Sequence, residues 1–429
     1  MKVAVIGGGW AGMACAVEAA RAGHDTAVFE AARTWGGRAR ALAATLPDGR
    51  EVTLDNGQHI LIGAYTETLD LMRQVGIDVE RALHRLPLAL RFPDGSGLSL
   101  PSLPAWLDRA TRRIAPLDVL AGVLGARGWS WQDKRSLLAT STRWQRMGFA
   151  CAEADTVADL CATLTPRVRS ELTEPLCVSA LNTPAGRASG AVFLRVLADA
   201  LFRTPGGSEL LLPRVDLSAL FPAAAARSLL AAGARAELGR RVRSLQPDGA
   251  GWLCDGERFD RVVLACAPWE AARLAADHAP QWSAIADSLP HEAIATTYLQ
   301  GEGGLHLPLL ALRSAADAPA QFVFDRGQLG GPQGLLAFVV SASSGERELL
   351  QQQVLAQARA QLDMPDLKPV TTVVERRATF ACTPGLARPA MRAAEGLLAC
   401  GDYVAGPYPA TLEGAVRSGR AAADALRVH

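Results

Sequence analysis

Lys2-Val3-Ala4-Val5-Ile6-Gly7-Gly8-Gly9-Trp10-Ala11-Gly12 opens the chain, and its reading decides the fold. A short apolar run rich in β-branched residues ends in glycines, and an Ala-rich stretch over 10–22 follows, with Gly23 placed to end a helix. Residues 26–29 read as a second strand, closed by Glu30. Gly7, Gly9 and Gly12 therefore fit GxGxxG between a strand and a helix, with an acid at the end of the next strand. That is the context a dinucleotide fingerprint requires. One glycine makes the tight turn, one lets backbone approach a pyrophosphate, and one lets the helix sit close against the strand. The free N–H groups and positive dipole end of the helix then face two phosphates. Glu30 is placed to accept hydrogen bonds from ribose hydroxyls, which suits FAD or NAD and disfavours the 2′-phosphate of NADP.

Working outward, Trp35-Gly36-Gly37-Arg38-Ala39-Arg40 comes soon after the acid, and Leu54-Asp55-Asn56-Gly57-Gln58-His59 precedes an amphipathic helix starting near Tyr65. The Arg38 guanidinium is a fixed fork of donors suited to phosphate oxygens, and paired glycines let main chain run against a ligand. Two anion contacts on one pyrophosphate imply an extended cofactor. The last forty residues return to it: 396–400 is a strand, Gly401-Asp402 ends it, and 411–427 is a helix with Gly414 and Gly419 spaced for close packing. Between these ends, 103–147, 156–164 and 188–202 are helical in pattern, and strands at 241–245, 251–254 and 261–265 are expected to rejoin the first sheet. A second β-rich stretch at 293–300, 321–324 and 335–341 is followed by a helix over 346–361 and a strand over 370–376. The predicted class is α/β. A Rossmann-like nucleotide-binding domain with a single GxGxxG (1–75, 205–270 and 385–429) is interleaved with an α+β substrate domain (76–204 and 271–384) carrying a helical insertion.

Composition narrows the function. Forty-four basic against 43 acidic residues leave a formal charge of +1, with no surplus to neutralise many phosphates, so nucleic acid is not an expected partner. The eight cysteines include no CxxC pair and the seven histidines no HxxxH or HxH spacing, so a reduced compartment and no metal are expected. The apolar start is broken by glycines, unlike a signal peptide, and the uncharged run 327–345 is too rich in Gly, Ser and Gln to span a membrane.

Val5-Ile6-Gly7-Gly8-Gly9-Trp10-Ala11-Gly12, Glu30, Gly36-Gly37-Arg38, Asp55-Asn56-Gly57-Gln58-His59, and Gly401-Asp402 with Leu412-Glu413-Gly414-Ala415 together resemble the flavin amine-oxidase and phytoene-desaturase superfamily. Within it, Ser179-Ala180-Leu181-Asn182-Thr183-Pro184, Leu212-Pro213-Arg214-Val215-Asp216-Leu217-Ser218 and Pro407-Tyr408-Pro409-Ala410-Thr411-Leu412 resemble the squalene-associated FAD-dependent desaturases, the bacterial hydroxysqualene dehydroxylases of hopanoid biosynthesis. The resemblance implies a glutathione-reductase-like FAD domain in which Gly7, Gly9, Gly12, Glu30, Gly37, Arg38, Gly57, Val242, Asp402 and Leu412 contact FAD. Val242 would touch adenine through main chain, and the Leu412 N–H would lie near flavin N1 and O2. Two departures matter. Flavin amine oxidases of this type use a lysine linked through water to flavin N5, and no lysine occurs here between Lys134 and Lys368. They also carry an aromatic residue where Thr411 stands, so amine oxidation is disfavoured.

The implied reaction is removal of the allylic hydroxyl of hydroxysqualene to give squalene, with hydride delivered from reduced flavin N5 to an allylic cation. His59 is the nearest candidate proton donor, set against the plainer reading that it hydrogen-bonds neighbouring backbone, and Asp55 reads as a structural acceptor. Two other readings share the motifs: a carotenoid-type desaturase, and a prenyl-lipid binding or escort protein without redox chemistry. With no second GxGxxG, the electron donor stays open. An isoprenoid lipid would occupy an apolar tunnel walled by Trp106, Trp129, Trp131, Trp144, Leu117, Val119 and Leu120, although ordinary core packing is the plainer account of most of these aromatics. The expected location is cytoplasmic, with peripheral contact at the inner membrane.

Overall fold

In the computed structural model, described over residues 1–102 and 117–427, β1 (Lys2–Ile6) runs into α1 (Trp10–Arg21) and then β2 (Asp25–Glu30). Of the stretch expected to be helical over 103–147, the part at 103–116, with Trp106, lies outside the described residues. β1 and β2 pair in parallel from Lys2 opposite Asp25 to Ile6 opposite Phe29. Both read as continuous apolar runs because helices cover both faces of the sheet.

The chain then leaves through α2 (Thr66–Gln74) and a helical region, α3 (Leu117–Leu124), α4 (Trp131–Arg146), α5 (Glu174–Leu181) and α6 (Gly190–Leu197). α4 starts where Ser130 and Asp133 cap each other's backbone N–H groups, a reciprocal arrangement that satisfies two otherwise orphaned donors. The helix expected over 156–164 is a single turn, Val157–Leu160, and the one over 188–202 is α6 continued by a π-helical stretch, Ala198–Arg203.

After α7 (Pro222–Ala231) the chain re-enters the sheet as β3 (Arg235–Leu238) and β4 (Arg261–Leu264). Here the structure corrects the sequence reading. Of the three strands expected to rejoin the first sheet, only 261–264 does. Leu245–Asp248, Gly251–Cys254 and Glu257–Phe259 form their own three-stranded antiparallel sheet. The cause is local: turns at Gly249 and at Asp255-Gly256, all with positive φ, fold each strand onto its immediate neighbour, whereas a parallel partner needs a long crossover.

α8 (Pro268–Ala275) and α9 (Pro280–Asp287) lead to a second sheet of β5 (His291–Gln300), β6 (Leu309–Ala311), β7 (Phe322–Asp325), β8 (Leu335–Ser343) and, after α10 (Arg347–Leu362), β9 (Lys368–Phe380). Its order is β6-β7-β8-β5-β9, with every neighbouring pair antiparallel. The chain returns through β10 (Arg392–Ala394) and β11 (Leu397–Ala399) to the final helix α11 (Leu412–Ala425). The first sheet is thus six-stranded, β3-β2-β1-β4-β11-β10, parallel except for β10.

Two apolar layers sandwich this sheet. Val3, Val5 and Val263 face α1, α7 and α11, while Ala4, Ile6 and Leu264 face a layer that includes Leu274, Trp282 and Leu289. That second layer is continuous through α8 and α9. The helical middle shares a core with the second sheet, in which Trp144 meets Phe193 edge-on at 6.5 Å between ring centroids. Trp129 is buried there too, its indole N–H donating to Glu171 at 2.9 Å. These two tryptophans are core residues and not tunnel wall.

Candidate functional site

The β1–α1 turn is made of main chain. Gly7 sits at φ +119°, and a Cβ on Gly12 would overlap the Gly7 carbonyl oxygen and lie 2.9 Å from the Ala265 side chain. Gly9 and Gly36 form a parallel bridge, and a Cβ on Gly9 would be 3.8 Å from the Gly37 Cα. Gly9 is also the N-cap of α1, and no side chain caps that helix. An N-terminus left open between glycine loops suits a pyrophosphate, whose oxygens would accept from the first N–H groups.

Glu30 is buried at the end of β2 and accepts from the N–H groups of Gly8 and Ala32, each at 2.7 Å. An ionised carboxylate has about four acceptor positions, so two remain for ribose hydroxyls. Arg38 forms an ion pair with buried Asp402 and donates to the Ala378 carbonyl at 2.9 Å. Burial works against the Arg38 charge, but Asp402 and the hydrogen bond to it outweigh that and hold its pKa above the ordinary value. Asn56 ties this loop to the next, donating to the Arg38 carbonyl at 2.7 Å and accepting from the Arg40 N–H at 3.1 Å.

His59 donates through Nδ1 to the Gly57 carbonyl at 3.2 Å. Burial, opposed by that bond and reinforced by Arg38, pushes the imidazole below its usual pKa. Val242 lies in the apolar layer with Ile6 and Phe29, and its carbonyl accepts from Arg273 at 3.2 Å. Leu412 is the first residue of α11, which lies so close to α1 that a Cβ on Gly419 would overlap the Ala11 carbonyl. The structure thus brings the glycine turn, Glu30, Gly37, Arg38 and Asp402 together, with Gly57 and His59 alongside. Val242 adjoins the Glu30 end of that cluster, packing with Ile6 and Phe29 two residues beyond Arg240, whose N–H donates to the Glu30 carbonyl at 2.8 Å.

The sequence reading missed the clamp that holds 55–59. The Tyr298 hydroxyl, on β5, donates to the Asp55 carbonyl at 2.7 Å and accepts from Gln58 at 2.8 Å, and Arg326 donates to Gln58 at 3.2 Å. Nothing local signals these contacts, since Tyr298 reads only as an apolar strand residue. Asp55 accepts from the Leu217 N–H at 2.8 Å. Burial raises its pKa to about 6, opposed by the Leu217 bond and Arg326, with Asp216 adding to the rise. An unfolded aspartate titrates near 3.9, so the folded chain favours the protonated acid; the stability this contributes is fully present below about pH 4 and is lost as pH rises through about 6. Asp55→Asn, neutral at every pH and still able to accept from Leu217, is therefore expected to be more stable than the wild type by about 1–3 kcal/mol near pH 8 and equal to it near pH 4. Urea unfolding at both values checks this, and a gain independent of pH would refute the assignment.

Thr411 accepts from the Gly414 N–H and donates to the Tyr408 carbonyl, both at 2.9 Å, and so caps α11. A helix cap stands where an amine-clamping aromatic was looked for. Among the described residues no group of three His, Cys, Asp or Glu side chains is placed to hold a metal.

A Rossmann-type sheet with an uncapped helix N-terminus, an acid closing the second strand, an arginine–aspartate pair joining both chain ends and an antiparallel second domain define a two-domain dinucleotide-dependent oxidoreductase. The model of the flavin containing amine oxidoreductase family matches residues 10–427. The chain belongs to that family and is an FAD-dependent oxidoreductase. It is 28% identical to a hydroxysqualene dehydroxylase of Rhodopseudomonas palustris, over 98% of this chain and 97% of that one. It is 26% identical to a second of that name from Sinorhizobium fredii, over 99% and 97%. A solved oxidoreductase structure from Methanosarcina mazei superposes with a TM-score of 0.72 at 16% identity, covering 99% of this chain and all of that one, a likeness of fold.

Proposed function

We propose that the enzyme removes the allylic hydroxyl of hydroxysqualene reductively, giving squalene. The observation that carries this reading is the match, from end to end of both chains, to hydroxysqualene dehydroxylases. Two departures support it: no lysine lies between Lys134 and Lys368, and Thr411 is a helix cap, both of which disfavour amine oxidation. FAD would be held by the turn Gly7 to Gly12, by Glu30, Gly37, Arg38 and Gly57, by Val242 at the adenine, and by Asp402 and Leu412. Reduced flavin supplies hydride, which together with one proton converts the alcohol to hydrocarbon and water. The Arg38–Asp402 pair fixes charge beside the site, and the Tyr298 clamp keeps 55–59 in one conformation.

The substrate is a lipid, and the helical region offers it a landing place. Leu117, Leu120 and Leu124 on α3 and Trp131 at the start of α4 are exposed, Trp131 at 76%, with the Lys134 ammonium 5.3 Å from its ring centroid. Apolar groups bordered by a cation suit a membrane interface. Among the described residues no helix is long and apolar enough to cross a membrane.

One experiment tests both parts: reduced holoenzyme is mixed anaerobically with hydroxysqualene in lipid vesicles, and product, flavin oxidation and co-sedimentation are followed. One squalene per flavin oxidised, with protein pelleting at low salt, is expected. Turnover only of phytoene-like polyenes by the oxidised enzyme would replace this reading with a desaturase, protein that cannot retain FAD would replace it with an escort, and failure to pellet removes the membrane contact.

A further inference from the structure

A second site lies where the two domains join. In β9 the register slips: Glu292 faces Thr379 and Ile294 faces Glu375, so Ala293 alone opposes residues 376–378. Such a bulge re-aims side chains that would otherwise alternate across the sheet. Here it turns the consecutive residues Arg376 and Arg377 into one cavity of about 340 Å³, which Trp269, Asp287, Leu289 and His291 also line.

The cavity has surplus positive charge. Both arginines are exposed, and among the described residues neither guanidinium makes an ion pair or a hydrogen bond. Arg377 instead lies over the Trp269 ring at 4.4 Å, a contact that fixes the guanidinium without neutralising it. His291 packs edge-on against the same indole at 5.2 Å between centroids. Burial and the fields of Arg38 and Arg377 depress the His291 pKa, against its Leu289 bond and Asp402. Asp287 is the single acid in the lining.

We propose that this cavity binds a phosphate or diphosphate group, either free or carried on a nucleotide. Two guanidinium forks on adjacent residues, that of Arg377 fixed over Trp269, match the planar spread of phosphate oxygens, and charge-assisted bonds to an anion are what unpaired arginines lack. At this size the cavity takes the anionic end of a ligand and leaves the rest outside. The same bulge reaches the candidate flavin site, because its Ala378 carbonyl holds Arg38. A ligand bound here sits one residue from that contact.

The test is calorimetric titration of the FAD-loaded protein with inorganic diphosphate and, separately, with NADPH under anaerobic conditions. Wild-type protein is expected to bind diphosphate, and Arg376→Gln/Arg377→Gln to bind it about tenfold or more weakly with unchanged flavin content. Asp287→Asn should bind about twofold to fivefold more tightly, a gain that damage to the fold would not produce. NADPH binding tighter than diphosphate, with the same dependence on both arginines, identifies a nucleotide as the source; binding of diphosphate alone identifies the free anion. No binding of either probe by the wild type, or affinities unmoved by both sets of substitutions, overturns the proposal. None of these outcomes depends on which alcohol or polyene the enzyme turns over.

Discussion

Gly9→Ala is expected to fold like the wild type and to emerge from purification nearly colourless, whereas Gly12→Val is expected to lose both flavin and stability. The difference lies in what each new side chain meets. Gly9 has ordinary backbone angles, and its Cβ would find its nearest neighbours at 3.8 and 3.9 Å, at the Gly37 Cα and the Gly36 carbonyl oxygen. The fold tolerates a methyl group there, but the space it fills is the approach a pyrophosphate needs. Affinity for FAD should fall at least about tenfold, equivalent to about 1.4 kcal/mol of binding, with the urea midpoint of the flavin-free protein unchanged. Gly12 is different, because its Cβ would overlap the Gly7 carbonyl, which is backbone, with Ala265 at 2.9 Å on the other side. Neither neighbour is the far end of a flexible side chain, so α1 must move off β1, at a cost at or above the usual overpacking range of about 1–3 kcal/mol. Flavin absorbance relative to protein, with urea unfolding of the apoproteins, separates the two effects. Normal flavin content in Gly9→Ala would show that the turn does not cradle the cofactor.

The first βαβ unit was legible because its signals are local: a β-branched run, glycines at fixed spacing and an acid at the next strand end all fall within residues 2–30. The rest became illegible where pairing is non-local or contrary to propensity. β3 is Arg-Ala-Glu-Leu, a helix-like tetrapeptide that becomes a strand because β2 offers it an open edge. Residues 245–259 alternate as strands should, but alternation does not say which sheet a strand joins. At the candidate site, Glu30 and Arg38 stand out by type and spacing, yet the partner of Arg38 is 364 positions away and the Tyr298 clamp closes across 243. The bulge in β9 has no sequence signature either. Arg376 and Arg377 read as one inward and one outward residue until the register slip places both in one cavity.

Glu413→Ala is expected to destabilise the protein by about 3–5 kcal/mol and to release flavin on mild heating. Glu413 is fully buried in the first turn of α11, yet its work is done on another helix. Its carboxylate accepts from the N–H groups of Glu67 and Thr68 at 3.2 and 3.0 Å and from the Thr68 hydroxyl at 2.7 Å, supplying the acceptors that α2 otherwise lacks at its N-terminus. A negative charge there also suits the dipole of α2, and Arg417 at 2.7 Å balances it. Truncation leaves buried donors facing a void, a penalty far above the net worth of the bonds themselves. Glu413→Gln should cost less, because one acceptor oxygen survives while the amide nitrogen meets N–H donors. Adding Thr68→Val to Glu413→Ala should cost less than the two single losses summed, since the valine removes one stranded donor. The link to flavin is geometric: Glu413 follows Leu412 in the turn that closes the last strand against α1, so loosening its grip on α2 frees the end of α11 facing the cofactor. Thermal unfolding followed in parallel by flavin fluorescence and circular dichroism should show flavin leaving before the fold melts in Glu413→Ala and with it in the wild type. Coincident transitions in both would confine Glu413 to global stability and remove it from the architecture of the site.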